Sequence, residues 1–107
     1  MAIGGCKDKK TARFLAREPV REFQAFANAA AKALTRIQAA VVLADLRSPA
    51  GNRFEALRGD RTGQYSIRIN DQYRVCFIWI PHAAIPPQTD ALHVAGDAYD
   101  VEITDDH

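Results

Sequence analysis

Lysine and arginine are absent beyond residue 80. Residues 81–107 carry six acids and no basic residue, whereas residues 1–80 hold all 14 Lys and Arg with seven of the 13 acids. The formal net charge of +1 therefore hides a body of +7 and a tail of −6. Such a body attracts phosphates at long range, and the tail either neutralises it within the fold or borders a basic cleft. Cysteine is scarce as well. Cys6 and Cys76 stand far apart, with no CxxC pair and no partner histidines. This favours a packed strand thiol and a free N-terminal one over a disulfide or a metal site. Long apolar runs are missing too: no window approaches the roughly 20 residues a membrane helix needs. There is no internal repeat and no low-complexity segment.

What is present is the composition of a folded domain. Apolar residues make up 48% of the chain, too many for a disordered polyampholyte, and 107 residues leave room for one core. The start, MAIGGCKDKK, places its charges after a short apolar stretch, the reverse of a secretory leader. The expectation is a cytoplasmic protein with no membrane partner.

The apolar pattern changes period along the chain. Residues 8–18 set Phe14 and Leu15 among charges and predict a short amphipathic helix, with Pro19 ending it or opening the next. From Val20 onward, Phe23, Phe26, Ala27, Ala30, Leu34, Ile37, Val41 and Ala44 follow the spacing of one long helix with a buried stripe. Ser48-Pro49-Ala50-Gly51-Asn52 breaks it as a loop. The period is then two. Residues 53–57 predict a short strand, Tyr65, Ile67 and Ile69 a second, and Tyr73, Val75, Phe77 and Trp79 a third. Residues 81–97, with three prolines and two histidines, read as an insertion loop. Tyr99, Val101 and Ile103 alternate as the last strand. Helices followed by a meandering sheet make an α+β domain with the helices on one face of a small, antiparallel-rich twisted sheet.

Hairpin register supplies the first functional clue. A two-residue loop between the second and third strands mixes polar and apolar side chains on each face. A three-residue loop over Asn70-Asp71-Gln72 pairs Ile69 with Tyr73, Ile67 with Val75 and Tyr65 with Phe77, so one face is wholly apolar. It also sets Arg68 opposite Arg74 on the face away from the helices, and directly opposed like charges destabilise a sheet. Two compensations fit. One is a neighbouring acid such as Glu55, Glu102 or Asp100, and the other is a nucleic-acid phosphate, whose oxygens suit a guanidinium pair.

The ending Asp105-Asp106-His107 is the second clue. Cleavage of RNA by its own 2′-hydroxyl needs a base for that hydroxyl, an acid for the departing 5′-oxygen and cations for the charge on phosphorus. Histidine suits proton transfer near neutrality, carboxylates beside it favour its acid form, and arginines suit the phosphate. This chemistry requires no metal and no cofactor, and no cluster with metal-ligand spacing is present.

Three runs carry a family likeness: Leu46-Arg47-Ser48-Pro49, Gly51 to Arg61, and Gly63 to Phe77. Together with the closing Val101-Glu102-Ile103-Thr104-Asp105-Asp106-His107, they resemble the HigB "killer protein" group of the RelE/ParE toxin superfamily. The resemblance covers nearly the whole chain from the long helix onward. It implies a RelE-type fold and a toxin that enters the ribosomal A site and cuts messenger RNA. The implied partners are the 70S ribosome with its messenger and a HigA-type helix-turn-helix antitoxin. Carried over by position, His107 matches the terminal catalytic histidine, Asp105 the acid two before it, Arg74 the arginine heading its strand and Arg58 the basic residue before Gly-Asp. Glu55 stands where some relatives carry histidine. Arg58, Arg61, Arg68, Glu55 and Asp106 fall on the surface that holds RNA in such toxins. Asp106 replaces the group's usual tyrosine, an aromatic able to stack on a base, and residues 81–97 are longer than the usual turn. Two rival readings share the fold: a decayed toxin that binds only its antitoxin, and a ParE-like inhibitor of DNA gyrase. The Asp-x-His ending argues against the second. Which tail residue is acid and which is base is left open.

Overall fold

The computed structural model describes residues 2–105. Helix α1 (Lys9–Leu15) starts where the Asp8 carboxylate accepts the Thr11 N–H, an N-cap that satisfies one orphan donor of the first turn. It stops at Arg17. The Arg17 and Glu18 N–H groups return to the carbonyls of Phe14 and Arg13, with Arg17 left-handed at φ 68°. This is a Schellman closure, and the helix is shorter than the expected 8–18.

The single long helix expected from Val20 is three pieces. A 3-10 turn (Arg21–Phe26) leads into α2 (Ala27–Ala39), and a second 3-10 turn (Leu43–Arg47) follows. The break at Ala40 has a local cause. The Asp45 carboxylate accepts the N–H groups of both Val41 and Val42, which holds them out of the helix, and Val42 bridges to Ala95. Val41, expected in the buried stripe, is 64% exposed, while Leu43 and Leu46 are buried in its place. The core stripe of α2 is Ala30, Ala33, Leu34 and Ile37.

Four antiparallel strands follow in sequential order: β1 (Glu55–Ala56), β2 (Tyr65–Arg68), β3 (Tyr73–Pro81) and β4 (Gly96–Asp105). Ile67, Val75, Phe77, Val101 and Ile103 bury one face in a single core with the helices. Thr11, fully buried, ties α1 to that sheet by accepting the Ile103 N–H on its hydroxyl at 3.0 Å.

Three features were not foreseen. Residues 2–7 run parallel to β4, bridging Ile3 to Ala98 and Cys6 to Val101, and so cover its outer edge. Between the pairs Cys76–Glu102 and Ile78–Tyr99, β4 carries one extra residue, with Asp100 left-handed at φ 52°. This bulge puts Ala98 and Val101 in the core and turns Tyr99 out of the expected alternation, to pack over Gly4. Finally, the expected insertion loop 81–97 is strand at both ends, and only residues 82–95 connect β3 to β4. That connection leaves the sheet seven residues beyond Arg74, roughly 23 Å along β3. Among the described residues neither cysteine forms a disulfide; Cys76 is buried and Cys6 half-buried.

Candidate RNA-binding cleft

The odd-length hairpin forms in the expected register. Tyr65 faces Phe77, Ile67 faces Val75, and Arg68 faces Arg74. The turn is closed by Asn70, whose side-chain oxygen accepts the N–H groups of Gln72 and Tyr73. Because side chains alternate, Arg68 and Arg74 project from the face opposite the buried Ile67 and Val75.

Two aromatic chains hold this end of the sheet. Phe14, Phe23, Phe26 and Tyr73 form a series from α1 to the head of β3, and the last pair stacks with ring centroids 4.3 Å apart. On the other flank Phe54 stacks on Tyr65, which leans on Phe77. The residues next to these rings, Glu55 and Arg74, are therefore placed by packing rather than by loop geometry.

Arg74 lies between two cavities and lines both. The first, about 310 Å³, is walled by Arg53, Glu55, Ser66, Arg68, Asp71 and Arg74, among others. The second, about 360 Å³, is walled by Leu57, Arg58, Arg61, Arg74, Cys76, Thr104 and Asp105. Of the residues singled out from the sequence, the fold thus brings Arg58, Arg61 and Asp105 to one side of Arg74 and Glu55 and Arg68 to the other. Asp106 and His107 lie outside the described residues. β4 itself ends at this end of the sheet, at Asp105. Asp105 pairs with Tyr73, next to Arg74, and its carboxylate accepts from the Gln72 amide at 3.0 Å.

Acids do compensate the opposed arginines. Arg74 Nη1 donates to Glu55 Oε1 at 2.8 Å and to Ser66 Oγ at 3.0 Å. Arg68 pairs with Asp71, three residues on, an acid not considered for this role from the sequence. Glu102 serves Arg61 at 3.2 Å and Lys7 at 4.0 Å. Asp100, the third acid considered, is in the β4 bulge. Among the described residues Arg53 and Arg58 have no acid within ion-pair distance, so each cavity retains one cation without a carboxylate. Arg53, Asp71 and Gln72 are site residues that sequence reasoning missed. Their only signal was a place in a turn or beside a loop. Among the described residues no cluster of His, Cys, Asp and Glu is arranged to share a metal ion, and no helix is long and apolar enough to cross a membrane.

A short antiparallel sheet backed by two helices, with arginines gathered on its open face, defines a RelE-like α+β toxin domain. The family model described as "RelE-like toxin of type II toxin-antitoxin system HigB" matches residues 6–91. The chain belongs to that HigB-like toxin family. It is also 44% identical over 63 residues to Toxin HigB-1 of Vibrio cholerae serotype O1 (strain ATCC 39315 / El Tor Inaba N16961). That stretch is 59% of this chain and 66% of the relative, just under two thirds of its length. The family match spans Arg53 to Arg74 but not the Asp105–His107 tail.

Proposed function

We propose that this chain is a ribosome-dependent endoribonuclease that cleaves messenger RNA in the A site. It would act in the cytoplasm as the toxin of a type II pair whose antitoxin is a HigA-type helix-turn-helix protein. The observation that carries the reading is the position of Arg74. It is flanked by Arg53 and Arg68 on one side and by Arg58 and Arg61 on the other, with β4 ending beside it at Asp105.

In this reading Arg74 and Arg58 hold the scissile phosphate. The 2′-hydroxyl of the preceding ribose loses its proton to a base and attacks phosphorus. The bond to the 5′-oxygen breaks, that oxygen takes a proton from an acid, and a 2′,3′-cyclic phosphate is left. His107 and Asp105 transfer the protons, and the guanidinium groups offset the charge gained by the phosphoryl oxygens. No metal takes part in any step.

Primer extension on a messenger with and without 70S ribosomes tests the proposal. Wild-type protein is expected to cut only with ribosomes present. His107→Ala, with folding checked by circular dichroism, is expected to lower cleavage by about 10²–10⁴-fold, and Arg74→Ala to do comparable damage while also weakening binding. Asp106→Tyr restores an aromatic for base stacking and is expected to cut faster than wild type. Cleavage at the wild-type rate by both His107→Ala and Arg74→Ala removes this site assignment. No cleavage by any form, Asp106→Tyr included, leaves a protein that only binds its antitoxin.

A further inference from the structure

The ion pairs on the open face fall into two kinds. Glu102 is fixed: it lies within β4, is 21% exposed and serves two cations at once. Glu55 and Asp71 are different. Glu55 lies on the two-residue edge strand β1 and is 51% exposed, and Asp71 sits in the hairpin turn and is 97% exposed. Either carboxylate can swing into solvent by side-chain rotation without disturbing the core. Their partners are held in place. Arg74 is 22% exposed, and its Nη1 still donates to Ser66 Oγ, a buried hydroxyl on β2, when Glu55 leaves. Arg68 is fixed opposite Arg74 by the strand register. Arg53 completes the same cavity from a left-handed backbone, φ 47°, with its N–H bonded to the Ala50 carbonyl. Backbone strain at a non-glycine residue persists where the surroundings over-determine it, often at ligand sites.

We propose that the cavity between Arg53, Arg68 and Arg74 is a subsite for two consecutive phosphates of single-stranded RNA, and that the carboxylates of Glu55 and Asp71 occupy those two phosphate positions in the free protein. The inference rests on the reading of the chain as an RNA-cleaving toxin and gives that site a second anchor point beside the scissile phosphate. A carboxylate presents two oxygens in one plane to a guanidinium, as the two non-bridging oxygens of a phosphodiester do. An exposed ion pair is weak, whereas a phosphate on a tethered backbone brings its neighbour with it. RNA therefore displaces both acids, and Arg53, without an acid among the described residues, supplies the excess charge that favours the exchange.

The test is fluorescence anisotropy with a labelled 2′-O-methyl RNA hexamer, which cannot be cut at its own 2′-position, and the purified full chain. Glu55→Gln and Asp71→Asn are each expected to tighten binding about two- to five-fold, the range set by the strength of an exposed pair. The two gains are expected to add in the double variant. The Glu55→Gln gain should vanish in an Arg74→Ala background and the Asp71→Asn gain in an Arg68→Ala background. Arg74→Gln replaces Arg74→Ala if the alanine variant does not fold. Weaker or unchanged binding by either carboxylate variant overturns the proposal. So does a gain that persists without its arginine, since it then reflects net charge alone, and so does failure of every form to bind the hexamer at low salt. Because the hexamer reports binding without cleavage, its outcome is separate from that of primer extension. Ribosome-dependent cutting with no response to these variants refutes the subsite alone, and the expected binding without cutting refutes the nuclease alone.

Discussion

Arg17 closes α1 from the left-handed region at φ 68°, where a Cβ atom crowds the following carbonyl. Glycine meets no such penalty, but it gains freedom in the unfolded chain. Setting a left-handed cost of roughly 1–2 kcal/mol against an entropic loss of roughly 0.5–1 kcal/mol, Arg17→Gly is expected to stabilise the domain by about 0.5–1 kcal/mol. Urea unfolding checks this, and destabilisation would show that the Arg17 side chain contributes more than its backbone costs. Arg53 has a similar backbone but a different setting, since its side chain lines the cleft. Asn52 beside it is buried for structural reasons. Its amide donates to the Leu46 and Ser48 carbonyls, and its oxygen accepts from Arg36 at 2.8 Å, so each of these polar contacts is made within the fold.

The hairpin is the element on which the cleft depends. Buried apolar side chains on one face, Ile67 of β2 and Val75 and Phe77 of β3, hold the register that sets Arg68 against Arg74. Shifting that register by a single residue turns every side chain to the other face. Ile67 is fully buried, so Ile67→Ala leaves a cavity and is expected to cost about 2–5 kcal/mol. A loss well under 1 kcal/mol in chemical unfolding would show that the β2 core contact is not what holds the hairpin. At the break after α2, Asp45 is held below the ordinary carboxylate range by the N–H groups of Val41 and then Val42. A lowered acid stabilises the fold above its unfolded pKa, and that share is lost as pH falls through the folded value.

Charge is distributed over the whole molecule in a way that net charge conceals. Residues 7–36, the helical layer, hold eight basic and three acidic residues, +5, whereas residues 45–80, which build the open face, hold six and four, +2. Most of the surplus therefore lies in the helical segment and not in the segment that carries the cleft. The helical charge draws a polyanion in at long range, and the cleft arginines engage it at short range. RNA affinity is expected to fall with salt at a slope of about −0.7 per phosphate engaged, so at least about −1.4 if two phosphates sit in the Arg53–Arg74 cavity. Anisotropy titrations across a series of salt concentrations measure it. A flat response removes backbone binding and leaves a protein-binding role.

The sequence by itself determined whatever depends on local periodicity and parity. The α+β order follows from the change of period along the chain, and the apolar face of the sheet and the Arg68–Arg74 opposition from a period-two pattern and a three-residue loop. The last two are settled by residues close together along the chain. Periodicity failed where a polar side chain or a distant bridge overrides it. The helix expected through Ala44 ends at Ala39 because Asp45 takes two backbone donors and Val42 bridges to Ala95, far along the chain. The β4 bulge and the pairing of residues 2–7 along its edge are likewise fixed by partners remote in sequence. The same holds for the site. That arginines gather on one face was legible, because strand parity sorts them. Which acid meets which arginine was not, because Glu55, Asp71 and Glu102 reach their partners across strands and turns, and only the packed structure sets those distances.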